Sequence, residues 1–275
     1  MSNVQNIKIN KSDIKESSIK EVSFVNNLIF WVDLLPRGQN SNKSIFVRPF
    51  NKKNAIPQKL TSDDFNVKSN FHGYGGKSYK CLEFGEKLFL IWIDHYSKAI
   101  WFQIFRFKKI IDQAEDKYLV SDGNPRQLSE SIEGAFDSSF VITGKNVLYG
   151  LCEINHIDYL FSLNLNETKQ KINVIKKFDN FAGELSSNKD GNLLSWIEWN
   201  PPYMPWEKND LFFAVIEEKG EIINIKRFSN QEINISKNVS FFQPYWLSEN
   251  FLVCSEDSSG WWNLLFLDLS DIENI

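Results

Sequence analysis

Gly76-Lys77-Ser78, within FHGYGGKSY (71–79), carries the residue types that close a phosphate-binding loop. Such a loop needs G-x-x-x-x-G-K-[ST], whose first glycine lets the backbone wrap the phosphates. It also needs a helix to follow, so that the free amides at its start face the anion. Counting back from Gly76 puts Phe71 where the first glycine belongs, and KSYKCLEF leads as a strand into a Gly85-Glu86 turn. The stretch reads as a glycine-rich entry into a strand. His72, His95 and His156 are the three histidines, and none has a partner at metal-ligand spacing. Neither a metal nor a cofactor is expected. Asp94-His95 has catalytic residue types, but it falls at a strand end where a turn histidine is the simpler reading.

Cys81, Cys152 and Cys254 are odd in number, widely spaced and set in apolar runs. They form neither a zinc knuckle nor a disulfide framework and read as buried free thiols of a reducing, cytoplasmic compartment. The polar start MSNVQNIKINKSDIKESS lacks the apolar centre of a signal peptide, and no run approaches the ~18 apolar residues of a membrane span. The formal net charge of −4 gives no basic patch for nucleic acid. Neither a membrane nor a nucleic acid is an expected partner.

Carboxylates supply the remaining chemistry. Asp33, Asp94, Glu153, Glu198 and Asp257 each end an apolar run: LIFWVD, LFLIWID, VLYGLCE, LLSWIE and FLVCSED. A pair of opposed carboxylates would suit a five-bladed glycosidase. Recurrence in every run favours a structural role, because a carboxylate at a strand end can accept from turn amides.

The elements that position these groups repeat. A second aromatic-rich run follows each carboxylate run, starting at Ile45, Ile100, Tyr159, Leu211 and Asn263, about 50 to 60 residues apart. Turn residues precede each carboxylate run, and before them lies a further short strand, as in FDSSFVI and FFQPYWL. A fourth strand follows in QKLTS (58–62), PRQLSE (125–130) and IKRFSN (225–230). Aromatic residues make up 15% of the chain, a share that suits half-buried pleated surfaces. Four short antiparallel strands per unit is the signature of a propeller blade. The fold class is all-β, a β-propeller with about five blades visible, at 18–62, 74–130, 133–178, 181–230 and 239–275, after a polar tail at 1–17. The last blade lacks a fourth strand, which points to a larger propeller. Residues 106–123 read as an insertion or short helix.

Three strings carry a resemblance. FNVKSNFHGYGGKSY (65–79) is similar to the Phe-Asn-Val-Arg-x-x-Val-His-Glu-Tyr-Gly-Gly-Gly-Ala-Tyr segment of propellers in the prolyl oligopeptidase family of serine peptidases, matching at His72, Tyr74, Gly75 and Gly76. WIEWNPPYMPWEKNDLFFA (196–214) resembles a segment of the bacterial acylaminoacyl-peptidase or dipeptidyl-aminopeptidase-like branch through Trp196, Trp199, Pro202, Met204, Pro205 and Trp206. SFFQPYWLSENFLVCSEDSSGWWNL (240–264) does so through Gln243, Pro244, Trp246, Asp257, Gly260, Trp261, Trp262 and Asn263. Gly73 and Lys77 depart from that pattern, standing where the resemblance has Glu and Gly.

The resemblance implies peptides as ligands and a C-terminal α/β-hydrolase domain as partner. That domain's nucleophile sits in Gly-x-Ser-x-Gly. No such string occurs in these 275 residues, so no catalytic residue is assigned. The function expected is substrate gating by a non-catalytic propeller region. A stand-alone propeller that binds a peptide or protein is the alternative, and a five-bladed glycosidase a distant third. The proline-rich segment 200–209 is expected to form a rigid aromatic loop at one end of the propeller. It either packs on its own blade or faces the hydrolase domain and substrate entry. Trp261-Trp262 is expected to pack between blades.

Overall fold

The computed structural model describes residues 19–270 except 35–41, 53, 109–116, 145, 218–219, 230 and 232–236. Five antiparallel sheets follow one another along the chain. The first comprises β1 (Lys20–Val25), β2 (Leu28–Leu34), β3 (Lys43–Pro49) and β4 (Gln58–Lys59). The second holds β5 (Tyr79–Phe84), β6 (Lys87–Asp94), β7 (Ala99–Phe107), β8 (Leu119–Ser121) and β9 (Arg126–Gln127). The third is β10 (Gly134–Thr143), β11 (Val147–Ile154), β12 (Ile157–Asn164) and β13 (Asn173–Lys177). The fourth is β14 (Phe181–Ser187), β15 (Leu193–Trp199), β16 (Asp210–Ile216) and β17 (Ile222–Phe228), and the fifth is β18 (Phe241–Trp246), β19 (Phe251–Glu256) and β20 (Asn263–Asp268).

Tight turns set the register. Asn26-Asn27 and Asn155-His156 each join paired strands with both residues at positive φ, the geometry that matches strand twist in a two-residue hairpin. His156 is thus a turn residue. The edge of the second sheet is split. β8 pairs with the end of β7 and β9 with its start, and only the second of these was visible as PRQLSE. Of the segment expected to be an insertion or helix, residues 106–107 close β7 and 119–121 form β8, while 109–116 lie outside the described residues.

First strands β1, β5, β10, β14 and β18 neighbour one another in order, so the sheets are propeller blades around a common channel. Four apolar clusters fill the spaces between successive blades. Trp31, Trp92 and Trp196 occupy the same register position on the second strands and are all buried. Burying each such side chain contributes about 1.5–3 kcal/mol. β15, covered on both faces, is buried at all seven positions.

The fifth blade has three strands among the described residues. By register, Leu264 and Phe266 of β20 correspond to Leu211 and Phe213 of β16. The latter pair is 0% exposed under the fifth blade, whereas Leu264 and Phe266 are 67% and 63% exposed, because no described blade follows.

Candidate functional site

The end of the channel where first strands begin gathers most of the sequence signature. Phe71–Gly73 forms a single tight helical turn leading into β5, and His72 adopts φ 52° within it. Its backbone N–H donates to Glu153 Oε2 at 2.9 Å, and its Nε2 lies 2.7 Å from Asp158 Oδ2. A carboxylate oxygen only accepts, so Nε2 carries the hydrogen. The same Oδ2 accepts Ala182 N–H at 2.8 Å. The His72 and Asp158 side chains are 5% and 1% exposed. The loop that starts the second blade is thereby tied to the third and fourth. Rings of Phe181 and Trp199 pack edge-on against the imidazole, with centroids at 5.1 and 5.4 Å.

Gly75 and Gly76 follow. Gly75 sits at φ +87°, a conformation that favours glycine, and a Cβ on Gly76 would lie 2.3 Å from Asp137 Oδ1 and push that carboxylate aside. Ser78 does not present its amide to an anion. Its N–H and Oγ donate to Glu21 Oε2 at 2.5 and 2.7 Å, which places a carboxylate of the protein where a phosphate loop would place its ligand.

A cavity of about 380 Å³ opens here. Its walls include Phe71, Tyr74, Trp199, Trp206 and Phe242, together with Glu21, Asp137, Glu184 and Lys77. Burial, then the charges of Asp158 and Glu153, push the Tyr74 phenol up. Farther along β5, burial and the neighbouring Lys77 charge pull the Lys80 ammonium down against Asp137 and Glu184. The opposite end of the channel opens into a larger cavity of about 1090 Å³, lined by Phe84, Leu247 and Phe251 among others.

The proline-rich loop 200–209 joins β15 to β16 and reaches the smaller cavity through Pro205 and Trp206. Met204 N–H donates to Glu207 Oε2 at 2.8 Å and Asn209 Nδ2 to Pro205 O at 2.8 Å, which closes the loop on itself. Pro202 and Met204 stay exposed, and Pro205 is buried.

In the last blade, Gln243 takes φ 54° at a bulge of β18, Pro244 is buried, and Trp246 Nε1 donates to Ser195 Oγ of β15 at 3.1 Å. Gly260, at φ +92°, turns the β19–β20 loop, where Asn263 Nδ2 donates to Trp261 O at 2.9 Å. Trp261 and Trp262 do not pack between blades. Trp261 is 81% exposed, and Trp262 rests on Phe242 of its own blade with ring centroids 5.5 Å apart, since both lie in a loop beyond the strands.

Three of the five recurring carboxylates accept from backbone N–H groups. Asp94 accepts Asn66 and Ser97 N–H, Glu153 accepts His72 N–H, and Asp257 accepts Ser240 N–H, each at 2.8–2.9 Å. Glu198 accepts Trp196 Nε1, and burial pushes its carboxyl up. By register the fifth member is Glu256, with Asp257 one residue beyond. No group of three His, Cys, Asp or Glu side chains among the described residues is placed to hold a metal.

The Asp158 partner of His72 was not legible beforehand, since the two lie 86 positions apart. Its only signal was an aspartate two residues after the Asn155-His156 turn.

No protein-family model matches the sequence, and no curated protein does. Solved structures do match. A puromycin-hydrolyzing peptidase of Mycobacterium tuberculosis superposes with a TM-score of 0.70 at 16% identity, over 93% of this chain and 38% of its own. A puromycin hydrolase gives 0.69 at 17% identity, over 92% and 38%. Prolyl oligopeptidase B from Galerina marginata, bound to a 25mer macrocyclization substrate, gives 0.53 at 11% identity, over 93% and 36%. The fold is that of the matched part of these peptidases. The chain spans under two-fifths of their length.

Proposed function

We propose that the chain is the propeller region of a prolyl oligopeptidase-like serine peptidase and acts without catalytic residues of its own, by restricting which peptides reach a hydrolase domain. The observation that carries this is the joint one. The five-bladed arc shares its fold with puromycin-hydrolysing peptidases over 93% of the chain, and residues of all three family-like strings meet at one end of its channel. His72 and Tyr74 come from the first string, Trp199, Pro205 and Trp206 from the second, and Phe242 lies beside Gln243 in the third. That end is proposed to face the hydrolase domain, with Tyr74, Tyr203, Met204, Trp206, Trp261 and Trp262 as its exposed apolar rim. Exclusion by the width of a channel needs no reactive group.

The test is an assay of the chain with aminoacyl and acyl-peptide reporter substrates, alone and mixed with a separately expressed hydrolase domain of a puromycin-hydrolysing relative. The reading expects no hydrolysis by the chain alone. In the mixture it expects lower turnover of long peptides than of dipeptide reporters. Hydrolysis by the pure chain, or equal turnover of short and long substrates in a mixture shown to bind, would overturn it.

A further inference from the structure

Inside the channel the fold leaves one cation without a partner. Tyr79 and Cys81 of β5 pack toward the first blade, so strand alternation turns Lys80 and Leu82 the other way, toward the third. Lys80 is half-buried there. Two carboxylates stand near it, and both are engaged elsewhere. Asp137 accepts the N–H groups of Lys77 at 3.2 Å and Ser139 at 3.1 Å. Glu184 faces Lys80 as well, but its contact is with the Lys77 ammonium, at 3.5 Å. An ammonium carries three N–H donors. Among the described residues, that of Lys80 makes no hydrogen bond and no salt bridge. Burial and the Lys77 charge act against its charged form, and the two carboxylates offset them only in part.

The two sides of Lys80 differ. Lys77, Asp137 and Glu184 line the smaller cavity at the channel mouth, and Lys80 does not. Lys80 lines the larger one of about 1090 Å³ at the far end, and those three do not. Its ammonium therefore opens on the far cavity with the carboxylates behind it. The walls there are mainly apolar. Phe84, Tyr245, Leu247 and Phe251 all line this cavity, and all four are exposed although large and apolar. Ser186 and Ser187 line it too, and their hydroxyls make no hydrogen bond among the described residues. Asn188 offers nothing more, because its amide donates to Asn192 Oδ1 and Glu249 O and accepts from Asn192 and Leu193 N–H. At the rim, exposed Lys189 is set against exposed Glu83 and Glu249.

A half-buried cation without an acceptor is costly to keep. Set among apolar walls and free hydroxyls, it complements a carboxylate on an apolar stem: the N–H and O–H donors take the two oxygens, and the walls take the carbon body. Inorganic phosphate would match the cation but not the walls. We infer that the far cavity binds a carboxylate carried on an apolar stem, with Lys80 as its charge partner, the Ser186 and Ser187 hydroxyls as further donors, and Phe84, Tyr245, Leu247 and Phe251 as walls. In a peptide that group is a carboxyl terminus after an apolar residue, or an aspartate side chain beside one. The peptide as source rests on the gating reading; the site itself does not.

The test titrates the 275-residue chain with 3-phenylpropanoate and its amide, N-acetyl-Ala-Ala-Phe as free acid and as amide, N-acetyl-Phe-Asp-amide against N-acetyl-Phe-Asn-amide, and inorganic phosphate, following heat of binding and tryptophan fluorescence. 3-Phenylpropanoate and one or both peptide acids are expected to bind at least about tenfold more tightly than their neutral counterparts, the worth of one charge-assisted hydrogen bond. Lys80→Met should remove that difference with a urea midpoint no lower than wild type, because it takes an unpaired cation out of a half-buried place. Lys80→Arg should keep the preference. Lys189→Met, on the exposed rim, should change it less than about threefold. Equal binding of acids and neutral counterparts, a preference that survives Lys80→Met or vanishes with Lys189→Met, or phosphate binding as tightly as 3-phenylpropanoate overturns the inference. Binding of 3-phenylpropanoate with neither peptide acid would uphold the site and overturn the peptide as its source. Gating is decided apart from all of these by the mixing assay.

Discussion

Replacing Asp158 by alanine tests whether the channel mouth is built around the His72 contact. The substitution removes the one oxygen that accepts both His72 Nε2 at 2.7 Å and Ala182 N–H at 2.8 Å. Each is a hydrogen bond to a carboxylate, worth about 1.5–3 kcal/mol, and both donors are left without a partner in a dry place. The expected loss of stability is about 3–5 kcal/mol, in the range for breaking a buried pair from one side. Asp158→Asn keeps one oxygen and should lose about half of that. Trp199, with its ring 5.4 Å from the imidazole, supplies a local fluorescence reporter for urea unfolding. In a double-mutant cycle with His72→Ala, the two losses should fall short of additivity by at least about 1 kcal/mol. A loss below about 1 kcal/mol for Asp158→Ala, or additive losses, would refute the claim that this pair locks the loop to blades three and four.

Two further outcomes follow from burial. Burial raises the Glu198 carboxyl above its ordinary value, so the folded protein binds a proton there more readily than the unfolded chain. Stability from this group is therefore present below the ordinary carboxylate range and is lost as pH rises through the folded value. Glu198→Gln, which keeps an acceptor for Trp196 Nε1, should melt higher than wild type at neutral pH and lose that advantage near pH 4; a constant difference across that range would refute the assignment. The bare face of the fifth blade, with Leu264 and Phe266 exposed where Leu211 and Phe213 are buried, should make the isolated chain self-associate. Light scattering after size exclusion should show a concentration-dependent mass above 32.1 kDa that Phe266→Lys reduces, whereas a sharp monomer at all concentrations would count against it.

Much of the fold was legible because its signals are local. A strand that pairs with its sequence neighbour writes its alternation and its turn into a few consecutive residues, as LIFWVD and the Asn26-Asn27 turn do. The repeat multiplies that signal across five sheets. β8 escaped because a three-residue strand leaves almost no periodicity, whereas β9 was visible within PRQLSE. Trp261 and Trp262 misled because a tryptophan pair has the composition of a core, whereas both lie in a loop beyond the strands.

The residues of the channel mouth could be listed from the sequence but not assembled. His72, Trp199, Trp206 and Phe242 stood out as members of three separate strings. Nothing within any string says that Asp158 receives the imidazole or that Glu21 occupies the amide of Ser78. Chain order alone determined the blades, since their hydrogen bonds join residues close in sequence. Only the tertiary structure decided the site, because its contacts run between blades, where curvature around the channel brings together first strands some 50 residues apart.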